Sequence, residues 1–449
     1  MKLSNKPKKE EEKAASSRRD FVKKSALITG AMVLPTMQMN AMVNMSNGKK
    51  LKIALIGCGG RGTGAASQAL SADDNVELVA MADAFDDKLQ GSLATLSKNF
   101  EGKGKVNVKE KHQYVGFDAA EKAMDQADVV ILTTPPGFRP QHFEYAVKTG
   151  KHVFMEKPVA TDVPGIRRVL AAARVAKEKN LNVVVGLQRH YQNNYIEIKR
   201  RIDAGEVGKI MSGQVYWNSG GVWVRERQPG QTEMEYQMRN WYYFNWLCGD
   251  HILEQHIHNI DIANWFIGET PISAQGMGGR QIRTGKDHGE IFDHHFVEYT
   301  YPSGAVIASQ CRHQPGTWSK VGENFQGTKG TIDMKDAGTA YLRGLGGEEL
   351  FKYRGKNDPN PYQVEHDKLF ASIRNKGVIA NAEYGAYSTM TAIMGRMATY
   401  SGKVINWEEA LKSELVLVPD NLNWNSTPPT MPDADGNYEI PTPGKTIVM

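Results

Sequence analysis

Short apolar runs alternating with amphipathic stretches dominate the first half of the chain. Leu51–Ile56, Val76–Ala82, Ala127–Leu132, Lys151–Met155 and Asn182–Gly186 have the length and apolar character of strands buried on both faces. Between them, helical stretches cover Thr63–Leu70, a segment with Phe143, Ala146 and Val147 that closes at Gly150, and about Pro164–Lys179. Alternation of this kind predicts an α/β domain with a doubly wound parallel sheet over residues 50–186. The later pattern differs. Strand-like runs at Gly213–Trp217, Ile272–Arg283, Phe292–Tyr299 and Ala305–Gln310 are followed by two helices at about Tyr362–Lys376 and Glu383–Gly402. From Pro419 onward Pro, Asn and Asp accumulate, so residues 413–449 are expected to form an extended tail.

The first strand runs directly into Gly57-Cys58-Gly59-Gly60-Arg61-Gly62, and a helix follows. In this context the glycines are needed for different reasons. Gly57 permits the tight turn, Gly59 lets the backbone approach a pyrophosphate, and Gly62 packs the helix on the strand. Gly60 and Arg61 complete the phosphate-facing turn, and the helix start offers N–H groups to the anion. Asp83 ends the second strand, 21 residues after Gly62, where its carboxylate would accept hydrogen bonds from the adenosine ribose. That charge would repel a 2′-phosphate, so NAD is expected over NADP, with Arg61 as a softening influence.

Charge and cysteine content narrow the class. The net charge is +5, yet 11 Lys/Arg against 4 Asp/Glu stand in the first 50 residues and 44 against 46 in the remainder. The body therefore gives no electrostatic case for nucleic acid. The basic segment is an address. Ser17-Arg18-Arg19-Asp20-Phe21-Val22-Lys23 has the twin-arginine export pattern, and the apolar run Ala26–Leu34 that follows is too short to span a bilayer. Residues 1–49 are read as signal and linker, the protein as periplasmic, and the export machinery as a partner. Cys58, Cys248 and Cys311 show no paired spacing, so no disulfide framework is expected.

Two strand ends carry unusual chemistry. Met155-Glu156-Lys157-Pro158 and Gly186-Leu187-Gln188-Arg189-His190 both put charged groups directly after buried strands, and Thr133-Thr134-Pro135-Pro136 ends a third. With the glycine turn, this Glu-Lys-Pro tripeptide resembles the Gfo/Idh/MocA superfamily of sugar and cyclitol oxidoreductases. The resemblance implies a lysine, here Lys157, beside the nicotinamide and the substrate hydroxyl, with a cis bond before the proline. It places Thr134, Pro135, His142, Glu156 and Gln188 near the cofactor. It also matches Glu254-x-His256-x-His258-x-x-Asp261 to a catalytic acid–histidine motif, with Glu replacing an aspartate and His256 a glycine. At helical spacing His251, Glu254, His258, Asp261 and Trp265 share one face. The resemblance spans about Lys50–Lys412, where Phe325–Ile332 matches a strand–turn–strand element. It implies an α+β second domain over 187–412 with an open, mostly antiparallel sheet, and assembly as a dimer or tetramer.

The expected chemistry is hydride transfer from a secondary carbinol carbon, C3 of a sugar being one candidate. His258 acts as base, Lys157 stabilises the alkoxide, and Glu254 orients His258. Arg189, Tyr191, Asn240, Trp241 and Asp261 are the substrate-side candidates, since aromatic faces stack on sugars and polar groups bond hydroxyls. The histidines also admit a zinc reading, but His256 and His258 point to different sides of a helix, so no metal is expected. His294 and His295 face opposite ways on a strand and are read as structural. Two rival functions remain: a glycosidase that uses transient oxidation and elimination, and a non-catalytic sugar-binding protein.

Overall fold

The computed structural model describes residues 49–335 and 338–449, so the twin-arginine segment lies outside the described residues. Six parallel strands form the first sheet: β1 (Leu51–Ile56), β2 (Val76–Asp83), β3 (Gln113–Val115), β4 (Val129–Leu132), β5 (His152–Met155) and β6 (Val183–Val185). Their order is β3-β2-β1-β4-β5-β6. The order reverses between β1 and β4, and the carboxyl ends of the strands line one edge, where such sheets bind ligands. Helices cover both faces: α1 (Gly60–Ala72), α2 (Asp86–Asn99), α3 (Ala119–Met124), α4 (Arg139–Lys148) and α5 (Val163–Glu178). Local chemistry sets their ends. Asp162 caps α5 by accepting the Gly165 N–H at 2.8 Å, with Pro164 in the first turn.

The second sheet has nine strands: β7 (Ile210–Ser219), β8 (Ser273–Gly279), β9 (His294–Thr300), β10 (Val306–His313), β11 (Lys320–Gly327), β12 (Gly330–Lys335), β13 (Thr339–Gly344), β14 (Glu349–Arg354) and β15 (Ile405–Asn406). Their order is β14-β13-β12-β11-β7-β10-β9-β8-β15, antiparallel throughout except for β10 beside β7. The sheet is open and mostly antiparallel, as expected. Alternation sends His295, Val297 and Tyr299 of β9, and Ile307, Ser309, Cys311 and His313 of β10, to the buried face. His294 points the other way, its imidazole beside Asp293 at 2.7 Å.

Helix α6 (Asn193–Asp203) precedes β7, and α7 (Glu233–Arg239), α8 (Asn245–Cys248), α9 (His251–Glu254) and α10 (Ile257–Ile267) follow it before β8. The single helix face expected from His251 to Trp265 is therefore broken: the chain leaves helix after Glu254 and restarts at Ile257, with His256 at the new start. The last long helices, α11 (Pro361–Arg374) and α12 (Ala382–Ser401), return to the first domain. Helix α11 packs on α1, and α12 lies between α5 and the strands β8 and β9. A short helix, α13 (Trp407–Ala410), precedes a tail without helix or strand among the described residues. All three cysteines are free and buried.

Candidate active site

The glycine turn is built as its spacing demands. Gly57 has φ +95°, and a Cβ there would lie 2.6 Å from the backbone of Thr133 and Thr134. A Cβ on Gly62 would overlap the Gly57 carbonyl oxygen. Gly59 and Gly60 differ, for a Cβ on either meets nothing within 4 Å. Helix α1 opens there with no side chain capping it. That surface fits a pyrophosphate laid on the helix start. Asp83 accepts N–H bonds from Cys58 at 2.6 Å and Phe85 at 2.9 Å. A carboxylate has about four acceptor positions, so two remain for ribose hydroxyls. Burial raises the Asp83 pKa.

At the end of β5 the Lys157–Pro158 bond is cis. The Lys157 ammonium donates to the Glu254 carbonyl and lies 3.4 Å from the Glu254 carboxylate. The structure thus pairs Glu254 with Lys157, not with His258 as expected, because the break after α9 turns the residue toward β5. His258 lies on the first turn of α10, is 6% exposed, and stacks near the Trp217 ring at 5.9 Å. Its Nδ1 is buried without a hydrogen-bond partner. Burial, and then the charges of Lys157, Arg189 and Arg61, hold its pKa well below the ordinary histidine range. His258 is therefore a neutral imidazole on which the Lys157 ammonium acts as the foremost charge. Gln188, at the end of β6, is also buried, with its Oε1 unbonded.

Several expected ligand contacts are replaced by internal ones. Arg61 bonds Glu156, reaches Glu365 of α11 at 3.1 Å and Gln68 at 2.8 Å, and so ties α1 to β5 and α11. Arg189, 1% exposed, pairs with Glu323 at 2.5 Å. Tyr191 donates to Asn381 at 2.8 Å and is buried. Asn240 is fully buried, accepting from the Arg225 N–H and donating to the Asp287 carbonyl. Asp261 lies 2.7 Å from His190 and accepts from Ser388 at 2.7 Å. These four were expected on the substrate side; each instead bonds within the protein to a partner remote in sequence. His142 is likewise inward, 3.2 Å from the Thr134 hydroxyl, its pKa lowered to about 3 by burial and Arg139.

Trp241 keeps an accessible position, edge-on to Trp223 and tilted against Tyr242. Trp223 did not stand out in the sequence, whereas Tyr242 belongs to the aromatic stretch Trp241–Phe244 that did. Tyr242 stacks on His313 at 5.9 Å, and its buried hydroxyl lies beside Glu254, which together with burial pushes the phenol up. Fully buried Arg139 was also missed; it donates to the Leu132 and Thr134 carbonyls and so fixes the loop after β4. Trp424 of the tail packs between Phe85 and Phe117, centroids 5.1 and 4.8 Å away, beside the strand end that carries Asp83. An isolated tryptophan in an Asn-rich tail was the only signal for it.

The buried imidazoles make a pH prediction. Burial depresses the pKa of His142, of His258 and of His366, the last helped by Arg61. Each is neutral when folded but takes up a proton near pH ~6.5 when unfolded. The unfolded state then binds more protons, so stability is complete above pH ~6.5 and falls as pH drops below it. Thermal midpoints measured in steps from about pH 7 to about pH 4 are expected to decline steadily; a flat series would contradict neutral burial of these rings.

Residues 51–187 match the GFO/IDH/MocA oxidoreductase family, NAD-binding Rossmann fold, and residues 195–333 match the GFO/IDH/MocA C-terminal domain. Inositol 2-dehydrogenase of Rhizobium meliloti (strain 1021) is 25% identical over 284 residues, which is 63% of this chain and 74% of that protein. The 2,7-anhydro-N-acetylneuraminate hydratase of Escherichia coli (strain K12) is 26% identical over 221 residues, 49% of this chain and 55% of that protein. A levoglucosan dehydrogenase solved with NADH and levoglucosan shares the fold, with TM-score 0.63 and 17% identity over 79% of this chain and 99% of that one.

Proposed function

The chain belongs to the GFO/IDH/MocA family of NAD-dependent oxidoreductases, and from that premise we propose that it is an exported enzyme that oxidises a secondary hydroxyl of a sugar, glycoside or cyclitol. The observation that carries this reading is the Lys157 ammonium at the carboxyl edge of the NAD-binding sheet, held by Glu254 and electrostatically coupled to a neutral His258.

Gly57, Gly59, Gly60 and Gly62 would hold the pyrophosphate of NAD, Asp83 the adenosine ribose, and Thr134, Pro135 and Gln188 the nicotinamide half. Bound NAD supplies the acceptor for the hydride leaving the carbinol carbon. The protein's part is proton handling and positioning. The imidazole of His258 takes the hydroxyl proton, which its neutral form permits. The ammonium of Lys157 stabilises the oxyanion that appears as the C–H bond breaks, in a site from which burial excludes water. The Glu254 contacts limit the motion of Lys157, and the accessible rings of Trp223 and Trp241 offer aromatic faces to a sugar ring.

A second reading shares every residue. Transient oxidation acidifies the adjacent carbon and allows elimination of an aglycone, after which the hydride returns. The hydratase relative, whose substrate is an anhydrosugar, favours keeping it. Export favours it too, since a retained cofactor regenerated within the cycle needs no external supply. A non-catalytic binding protein would have no use for the Lys157–Glu254 pair.

The deciding experiment titrates the purified protein with NAD and NADP, then adds sugars, glycosides and cyclitols while its ultraviolet spectrum is followed. NAD is expected to bind at least tenfold tighter than NADP, about 1.4 kcal/mol. A lasting absorbance near ~340 nm with a keto product marks net oxidation. Glycoside cleavage with no lasting absorbance marks the second reading. No spectral change and no product with any of them would sink both.

Export rests on Arg18-Arg19 and the apolar run after it. Changing both to lysine is expected to leave the protein in the cytoplasmic fraction. Periplasmic recovery of the double variant would refute the address.

A further inference from the structure

We propose that Asp250, His251 and His295 form a binding site for one divalent transition-metal ion, zinc by preference, distinct from the hydride-transfer centre. The three side chains are fully buried, and one donor atom of each lies within 4.8 Å of the others. The Asp250 Oδ1 is 2.8 Å from the His251 Nδ1 and 3.3 Å from the His295 Nε2. Zinc bonds of about 2.0–2.1 Å at tetrahedral angles put neighbouring donors about 3.3 Å apart, so small adjustments admit an ion.

Two observations point to a ligand, which would take the place of the hydrogen bond between the His251 Nδ1 and the Asp250 Oδ1. The His295 Nε2 is buried and makes no hydrogen bond, although it lies within ion-pair distance of the Asp250 carboxylate. Its N–H is thus not aimed at that oxygen, as it would be in a bonded Asp–His pair; a lone pair aimed between the groups suits an ion. The other observation is charge. No Lys or Arg forms an ion pair with Asp250 among the described residues; neutral donors from Tyr400, Phe292 and the His251 backbone reach the carboxylate, and the two imidazoles beside it are the groups that could carry an offsetting charge. A divalent cation removes that imbalance.

The surroundings hold the donors as ligands are commonly held. The His295 Nδ1 is 2.9 Å from the Thr399 hydroxyl, which fixes the ring and leaves Nε2 as donor. The Asp250 Oδ2 accepts from Tyr400 at 2.5 Å and from the Phe292 N–H at 3.0 Å, while Oδ1 accepts the His251 backbone N–H and faces both imidazoles, the side on which an ion would sit. Asp250 itself has φ +76°, a conformation that non-glycine residues seldom keep without a reason. Two imidazoles and a carboxylate suit zinc among the divalent ions, with one tetrahedral position left for a small ligand. The ion would anchor α9 to β9, and α9 is the element that brings Glu254 to Lys157.

The test uses the full chain. Protein treated with zinc chloride and desalted is expected to retain about one zinc per chain by mass spectrometry. His295→Gln and Asp250→Asn are expected to retain under about a tenth of that, while His112→Gln, remote from the cluster, retains all of it. Cobalt(II) in the same site gives visible ligand-field bands. Wild-type protein that keeps no zinc, or a full equivalent in His295→Gln, overturns the proposal. If the variants fail to fold, the cobalt spectrum of the wild type decides: bands support the site and their absence overturns it.

Discussion

Lys157→Met is expected to lower turnover by about 10²-fold or more and to change NAD affinity little. Methionine keeps much of the length but removes the ammonium held at the end of β5 by Glu254. The oxyanion formed as the proton leaves then has no fixed positive charge, while the glycine turn and Asp83, which hold the dinucleotide, are untouched. His258→Asn is expected to behave alike through loss of the base. The two groups are coupled, because Lys157 is the strongest charge acting on the His258 ring. The double variant should therefore lose far less than the product of the single losses. Steady-state kinetics of the three variants, with NAD titrations beside them, make the check. Full additivity, or wild-type turnover in either single variant, would remove these residues from the centre.

Much of this arrangement is legible in the sequence because it is local. A buried strand, a glycine turn and a helix follow one another within Leu51–Ala72, and Lys157 is placed by the strand immediately before it. The same locality fails where the chain bends or where partners are distant. Reading His251–Trp265 as one helix misses the interruption at Gln255, so Glu254 is assigned to His258 when it turns toward Lys157. Arg189, Asn240 and Asp261 look available because nothing near them in sequence is complementary. Their partners, Glu323, Asp287 and Ser388, come from another strand, a short 3-10 turn and another helix. The pair β13 and β14 escapes for another reason: β14 has no fully buried residue, so the hairpin gives only half the alternation that marks a strand. Residue type gives candidates for a site, but burial decides which side chains have polar valence left for a ligand.

Glu323→Ala separates those two roles for Arg189. Glu323 stands on β11 with no exposed side-chain surface, and its carboxylate takes Arg189 and the Asn259 amide at 2.5 Å each and the Tyr195 hydroxyl at 3.0 Å. Alanine removes the anion and keeps the guanidinium 1% exposed, in a place where water cannot replace the lost contacts. Breaking a buried pair from one side typically costs about 3–5 kcal/mol, because the remaining charge keeps its desolvation penalty. The variant is expected to unfold at clearly lower denaturant concentration, with KM for sugar little changed in whatever fraction stays folded. Glu323→Gln should fall between, since its one carbonyl oxygen still accepts from Asn259 and its NH2 can donate to the Tyr195 hydroxyl, but it no longer offsets the Arg189 charge. The opposite pattern, native stability with a raised KM, would mean that Arg189 turns toward substrate and that the sequence-based assignment was right. Because Arg189 also helps hold the His258 pKa down, the folded fraction carries a second signature. With its counter-ion gone, Arg189 acts more strongly on the imidazole, so the acid limb of the kcat/KM profile should move to lower pH in Glu323→Ala.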